Sequence, residues 1–189
     1  MISRKPTYIR TMNSTQIETY LEAENDIANK NFVEAFKKYE SILFDEPTNA
    51  PTHNSLGWIY KTQMDDYRNA ENHYLAAIKG EPAYPHAYLN YIILLTDTER
   101  FAEALTWVKK AMKIEAVDKA WLHHRLGLIH ELQLKFDEAI FHYEKAMLLT
   151  LSDEKIKAYK EDVLRCEEKI QLLGKHEERT ENKTPAQLD

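Results

Sequence analysis

Three histidines that stand close together, His123, His124 and His130, are the side chains of this sequence that could bind a metal ion. Imidazole is the commonest metal ligand in proteins. On a helix, which turns once every 3.6 residues, His123 and His130 lie nearly on one face, whereas His124 and His130 do not share one. No carboxylate or cysteine accompanies them at the usual ligand spacing. We therefore expect half-buried structural histidines, with no metal and no other cofactor.

Nucleophilic chemistry has little support in the sequence. Cys166 is the one cysteine, and it falls in an apolar stripe that predicts a buried, inert thiol. Asp65 and Asp66 are paired acids, but they coincide with an extra residue in a turn, which a loop insertion explains. We predict that the protein is not an enzyme. A lone cysteine cannot form an internal disulfide, which fits a reducing compartment and predicts a cytoplasmic location.

Composition excludes further classes of protein. The 189 residues include four glycines, which predicts few left-handed backbone positions and no Gly-rich phosphate loop. A formal net charge of −6 without a basic stripe predicts no nucleic-acid partner. No apolar run approaches the roughly 18 residues of a membrane-spanning helix, so we expect no membrane insertion.

One pattern recurs four times along the chain. An aromatic residue stands three positions before an alanine, and an aromatic or apolar residue stands four positions after it. The alanines are spaced by 35, 34 and 35 residues, at Ala35, Ala70, Ala104 and Ala139. Leu56-Gly57 and Leu126-Gly127 precede the second and fourth copies. The small residues predict close approach of two helices, and the fixed period indicates repeats that bury their apolar faces by stacking.

This pattern resembles the tetratricopeptide repeat, a helix–turn–helix unit of 34 residues. The resemblance covers about residues 14–151 and implies an all-α fold: a right-handed α-solenoid of four tetratricopeptide-like helix pairs plus a C-terminal capping helix. The apolar periodicity predicts helices near 14–29, 32–45, 51–64, 67–80, 85–97, 101–114, 118–133 and 136–149. A ninth helix is predicted near 152–173, with Ser152 as its N-cap and Gly174 at its end. We expect a flexible arm at 1–12, a four-repeat domain with its capping helix at 13–174 and a disordered polar tail at 175–189.

The resemblance also implies a binding groove along the first helix of each pair. Counting Gly57 and Gly127 as the eighth position of that helix gives the side chains that line it. The predicted groove residues are Tyr20, Glu24, Asn54, Trp58, Lys61, His86, Asn90, Ile93, Trp121, His124, Arg125 and Leu128. Glu131 adds a second acidic side chain to this groove. Exposed aromatic and apolar side chains of this kind mark contact sites.

We expect a non-enzymatic scaffold or adaptor that binds a peptide or helix of a partner protein in this groove. The alternative is a self-associating component of a larger assembly, such as a homodimer, that uses the groove and a partly exposed Trp107 for packing. Some family members bind acidic chaperone tails through a clamp of lysines, asparagines and an arginine. Asn90 and Arg125 fit that clamp, but Asn54, Trp58 and Trp121 replace its other side chains, which argues against such a ligand.

Overall fold

A computed structural model of the chain describes residues 12–181, with the side chains of residues 12–175. Within this range the chain forms nine helices and no strand, which confirms the predicted all-α fold. The helices are α1 (Ser14–Ala28), α2 (Phe32–Asp45), α3 (Ala50–Gln63), α4 (Tyr67–Gly80), α5 (Pro85–Asp97), α6 (Phe101–Ala111), α7 (Lys119–Leu132), α8 (Phe136–Leu149) and α9 (Asp153–Glu181). No helix in this part of the chain is both long enough and apolar enough to cross a bilayer.

Helices begin where a side chain satisfies the free N–H groups of the first turn. Asn13 and Gln16 form a reciprocal capping box at the start of α1. The side-chain oxygen of Asn49 accepts the backbone N–H of Thr52 at 3.0 Å at the start of α3. Ser152 does the same for Lys155 at 3.3 Å, which confirms it as the N-cap of α9.

The two helices of each pair are joined by a tight turn that contains a left-handed residue. The φ angle is 63° at Lys30, 51° at Asp65, 57° at Glu99 and 60° at Leu134. In the first turn the backbone N–H of Asn31 donates to Asp26 at 2.8 Å, the bond of a Schellman motif. The expectation that few glycines means few left-handed positions is wrong at these turns. Helix packing on both sides holds non-glycine residues in a conformation that costs each of them about 1 kcal/mol.

Small residues allow the paired helices to approach closely, as predicted. Ala35, Ala70, Ala104 and Ala139 are fully buried. A Cβ atom on Gly57 would lie 2.7 Å from the ring of Tyr74, and one on Gly127 would lie 2.6 Å from the ring of Tyr143. Both glycines are therefore required by the aromatic side chains that fill the space between the helices.

Contacts separate the chain into two compact units. The first ends at Val117 and contains α1 to α6; the second begins at Asp118 and contains α7 to α9. The first unit has a core around Tyr39 and Leu56, and the second has one around Tyr143 and Cys166. Cys166 is buried, as predicted. A single repeat domain over 13–174 stays a prediction.

Three predicted boundaries are wrong in part. Helix α9 continues through Gly174 to Glu181, because a single helical glycine costs only about 1 kcal/mol and good helix formers flank this one. Residues 175–181 of the expected disordered tail are thus helical, and the rest of it lies outside the described residues. Met12, placed in the flexible arm, is buried, and residues 1–11 lie outside the described part. Helix α6 ends at Ala111, three residues before its predicted end, in a turn closed by the N–H of Ile114.

Candidate functional site

A pocket in the first unit collects predicted groove residues from three helices. Glu24 comes from α1, Asn54 and Trp58 come from α3, and Asn90 comes from α5. The cavity has a volume of about 220 Å³. That is the volume of about seven water molecules, so the pocket can admit one side chain. We call it the Glu24 pocket; its remaining lining residues are Ile27, Tyr39 and Ser55.

Neutral donors fix the carboxylate of Glu24. The hydroxyl of Tyr39 donates to Oε1 at 2.5 Å, and that of Ser55 donates to the same oxygen at 3.1 Å. The hydroxyl of Tyr20 lies 3.2 Å from the Ser55 hydroxyl. Burial raises the pKa of Tyr20 and of Tyr39 well above the usual range, so both phenols stay protonated. Both of these hydrogen bonds go to Oε1, and a carboxylate has about four acceptor positions, so Oε2 retains acceptor capacity.

Two amides also line the Glu24 pocket. Nδ2 of Asn90 donates to Oδ1 of Asn54 at 2.9 Å. With the amides in this orientation, Nδ2 of Asn54 remains a donor and Oδ1 of Asn90 remains an acceptor. The half-buried Trp58 completes the pocket, with its ring 6.2 Å from that of Phe32.

Four other predicted groove residues of the first unit do not line this pocket, and the hydroxyl of Tyr20 is linked to it through Ser55. Lys61 forms an ion pair with Asp97, with Nζ and Oδ2 at 2.6 Å, so its charge is already matched. His86 is exposed beside Tyr84, and Ile93 is half-buried on α5. The structure therefore divides the predicted residues of this unit into a pocket set and a flanking set.

In the second unit, α9 contacts the predicted groove face of α7. Nε2 of His124 lies 2.9 Å from Oδ2 of Asp162, and its ring stacks on Tyr159 at a centroid distance of 4.5 Å. Burial lowers the pKa of His124, although Asp162 acts in the opposite direction. Helix α9 therefore packs against His124, and a ligand-binding role for this side chain stays a prediction.

Glu131, which the sequence placed in the groove, is buried instead. Its side chain is only 5% exposed and accepts the hydroxyl of Tyr143 at 2.6 Å. Arg165 donates to it from Nε and Nη2 at 2.7 Å each, and Lys169 from Nζ at 2.7 Å. Burial alone would raise the pKa of this carboxyl, but these hydrogen bonds lower it to about 2. Arg165 and Lys169 stand one helical turn apart on α9, the signal that could have predicted this contact.

The remaining predicted residues of α7 are half-buried. The guanidinium of Arg125 lies 5.1 Å from the ring centroid of Trp121, within range of a cation–π interaction. Leu128 is half-buried one turn further along. These residues belong to the second unit, so a groove that joins them to the Glu24 pocket stays a prediction.

Histidine pairs occur at equivalent places in both units. Nδ1 of His53 lies 3.0 Å from Nδ1 of His73, and Nδ1 of His123 lies 3.1 Å from Nδ1 of His142. His130 stacks on His142 at a centroid distance of 5.4 Å. His53, His73 and His142 were not among the predicted site residues, although their spacing follows the repeat. In the part of the chain that the structure describes, no group of three or more ligand residues could hold a metal ion.

Trp107 is half-buried, in agreement with the sequence. Its ring meets Tyr91 edge to face at 5.0 Å, and Nζ of Lys110 lies 3.5 Å from its centroid. The ring therefore lies on the surface of the first unit between neighbours of its own chain.

Helix pairs that repeat with the same glycine–tyrosine and alanine contacts define a helical-repeat protein of the α-solenoid class. The tetratricopeptide repeat family model matches residues 50–84, which include α3 and α4. This match identifies one tetratricopeptide repeat in the chain, and the other helix pairs repeat its helix–turn–helix architecture.

Solved structures with the same fold are similar over most of the chain. Pseudomonas aeruginosa PilF has a TM-score of 0.71 at 17% identity, over 91% of this chain and 78% of that one. The Thermus thermophilus protein TTC0263 has a TM-score of 0.67 at 16% identity, over 82% and 85%. Human IFIT1, solved as a dimer with m7Gppp-AAAA, has a TM-score of 0.72 at 22% identity, over 83% and 40%. Such identities establish the fold alone. Comparison with curated protein sequences gave no match.

Proposed function

We propose that this protein is a non-enzymatic interaction scaffold that binds an extended peptide segment of a partner protein in the Glu24 pocket. The observation that carries this proposal is the amide pair of Asn54 and Asn90, linked at 2.9 Å. The pair offers one further donor and one further acceptor. A peptide unit offers one C=O and one N–H, so it complements this pair without regard to its side chain.

The rest of the pocket suits a side chain of such a peptide. Trp58 presents a large aromatic surface, and tryptophan is enriched among the residues that dominate binding energy. Hydrophobic walls with a few fixed polar groups are typical of ligand pockets. A protein partner without nucleic acid, and a cytoplasmic location, belong to this proposal.

The proposal can be tested by selecting random displayed decapeptides on the full chain and measuring the enriched peptides by calorimetry. We expect Asn54→Ala/Asn90→Ala to weaken binding at least about tenfold, since each lost hydrogen bond is worth about 1 kcal/mol. Asn25→Ala is the matched control, because Asn25 is an exposed amide on α1 outside the pocket. Failure to enrich peptides, or equal binding by the double variant, would reject the site.

Self-association is a second candidate, which exposed side chains of the second unit favour. Leu148 is 81% exposed on α8, and Leu164 and Leu172 are about half-exposed on α9. Exposed apolar surface of this kind is typical of contact sites. Sedimentation velocity over a hundredfold range of concentration would detect a dimer. A dimer that Leu164→Glu/Leu172→Glu abolishes would favour this function, whereas a monomer at every concentration would exclude it.

A further inference from the structure

Glu24 carries a negative charge that no cation within the described residues neutralises. Its hydrogen-bond donors are the hydroxyls of Tyr39 and Ser55, which are neutral. Lys61, on α3, is paired with Asp97 instead. The pocket therefore presents a fixed carboxylate with one oxygen open, beside the aromatic surface of Trp58.

The second unit shows what a carboxylate of this kind binds within the same chain. Glu131 accepts a tyrosine hydroxyl from the second helix of its pair, as Glu24 does. Tyr143 and Tyr39 stand at the same place in their repeats, four residues after the buried alanine. The guanidinium of Arg165 meets Glu131 with two donors at 2.7 Å. Charge-assisted pairs of this fork geometry are stronger and more directional than single hydrogen bonds.

An arginine side chain also suits the other groups of the Glu24 pocket. A guanidinium is planar, stays charged and stacks on aromatic faces, so it can contact Trp58 while it donates to Glu24. Lysine offers a point charge without the fork, so it should bind more weakly. The amides of Asn54 and Asn90 lie in the same cavity, where the main chain of the peptide would bind.

We propose that the Glu24 pocket binds the side chain of an arginine in the extended partner peptide. This inference rests on the proposed function, since it names the residue that the same site selects. It differs from the clamp for acidic tails weighed above in the sign of the ligand's charge.

The test uses the decapeptide library with the full-length wild type and with Glu24→Gln and Glu24→Lys. Selection on the wild type should enrich arginine at one fixed position. Citrulline at that position keeps the shape but removes the charge, and it should weaken binding about tenfold or more. Glu24→Gln should lose the arginine preference, and Glu24→Lys should select aspartate or glutamate. Glu18→Gln is the matched control, because Glu18 is exposed on α1 outside the pocket and should leave the preference unchanged.

The outcomes separate this inference from the proposed function. Peptides that depend on Asn54 and Asn90 but show no arginine preference would overturn the inference and keep the peptide site. No enriched peptide at all would overturn both. Displacement of the peptides by m7Gppp-AAAA in a manner that requires Glu24 would assign the pocket to a nucleotide instead. Unfolding of each variant in urea, followed by circular dichroism, verifies that the variants compared are folded.

Discussion

Glu24 in the first unit and Glu131 in the second are tyrosine-anchored carboxylates that differ in every other contact. Glu131 is 5% exposed and binds Arg165 and Lys169, whereas Glu24 is exposed and binds only hydroxyl groups. The difference follows from the helix that packs beside each carboxylate. Helix α9 brings two cations to Glu131, while α3 brings a serine and an asparagine to the neighbourhood of Glu24.

The same contact, a carboxylate that accepts a tyrosine hydroxyl, has different consequences in the two units. In the second unit the carboxylate joins α7 to α9, and its cost of burial is offset by charge-assisted hydrogen bonds. In the first unit the carboxylate stays in contact with solvent, where it contributes little to stability and remains able to bind a ligand. Under the proposed function, stability and recognition are assigned to different ends of the described chain.

The largest expected effect is loss of the cations around Glu131. Arg165→Ala/Lys169→Ala would leave a buried carboxylate that keeps the hydroxyl of Tyr143 but loses both cations. Removing the partners of a buried charge costs about 3–5 kcal/mol in fully buried pairs, and partial exposure of these cations reduces this to about 3 kcal/mol. Urea unfolding at pH 7.5, followed by circular dichroism, measures the loss.

The control for this prediction adds Glu131→Gln to the double variant. A neutral amide still accepts the tyrosine hydroxyl, so most of the lost stability should return. The matched change in the first unit, Glu24→Gln, should cost less than about 1 kcal/mol because that carboxylate is exposed. If the triple variant were as unstable as the double variant, the unpaired buried charge would not explain the loss of stability.

A second prediction concerns the glycines behind the tyrosines. Alanine at Gly57 or Gly127 would push against an aromatic ring at 2.7 or 2.6 Å and should cost about 2 kcal/mol at Gly57. The loss at Gly127 should be larger, because Tyr143 cannot shift without weakening its bond to Glu131. Gly174→Ala is the control: open space surrounds its Cβ position, and a helical alanine should stabilise by up to about 1 kcal/mol. If Gly57→Ala and Gly127→Ala unfolded at the same urea midpoint as Gly174→Ala, the contacts with the tyrosine rings would not be tight.

Repetition explains why so much of the fold was predictable. Ala35, Ala70 and Ala139 stand in phase, so errors in one copy are corrected by the others, and most helix ends agree within one residue. The exceptions lie where the pattern stops. Gly174 lies beyond the last repeat, so the repeat pattern does not predict its role. No proline marks the end of α6, as one does after α2 and α4, so its end at Ala111 was predicted too late.

The candidate site was predictable in its residues and not in its environment. The repeat phase indicated Glu24, Asn54 and Trp58, because each position on a helix face follows from the periodicity. It could not indicate that α9 would cover His124, since that depends on how a non-repeat helix packs. The bond from Tyr39 to Glu24 was also missed, because a tyrosine in a core pattern gives no sign of where its hydroxyl points.

The smallest expected effects come from pH. Burial lowers the pKa of His73 and His142 to about 4, so the folded chain holds these imidazoles neutral. The unfolded chain binds more protons below its histidine pKa of about 6.5, so stability should be complete above that pH and should fall between about pH 6.5 and 4. Partial exposure limits the loss to about 1 kcal/mol for each of the two pairs. The pKa of the Glu131 carboxyl is lowered, so this group affects stability at lower pH than the histidines do. Its contribution is present above pH 4.5 and is lost toward pH 2.

Urea unfolding at half-unit steps of pH would separate these contributions. His53→Gln/His73→Gln should remove the part of the stability loss between about pH 6.5 and 4 that comes from the first unit. The stability loss below about pH 4.5 should stay unchanged. Glu131→Gln should do the reverse, because the carboxylate that α9 neutralises belongs to the second unit alone. An equal response of both variants across the whole range would mean that the two pH windows do not report separate groups.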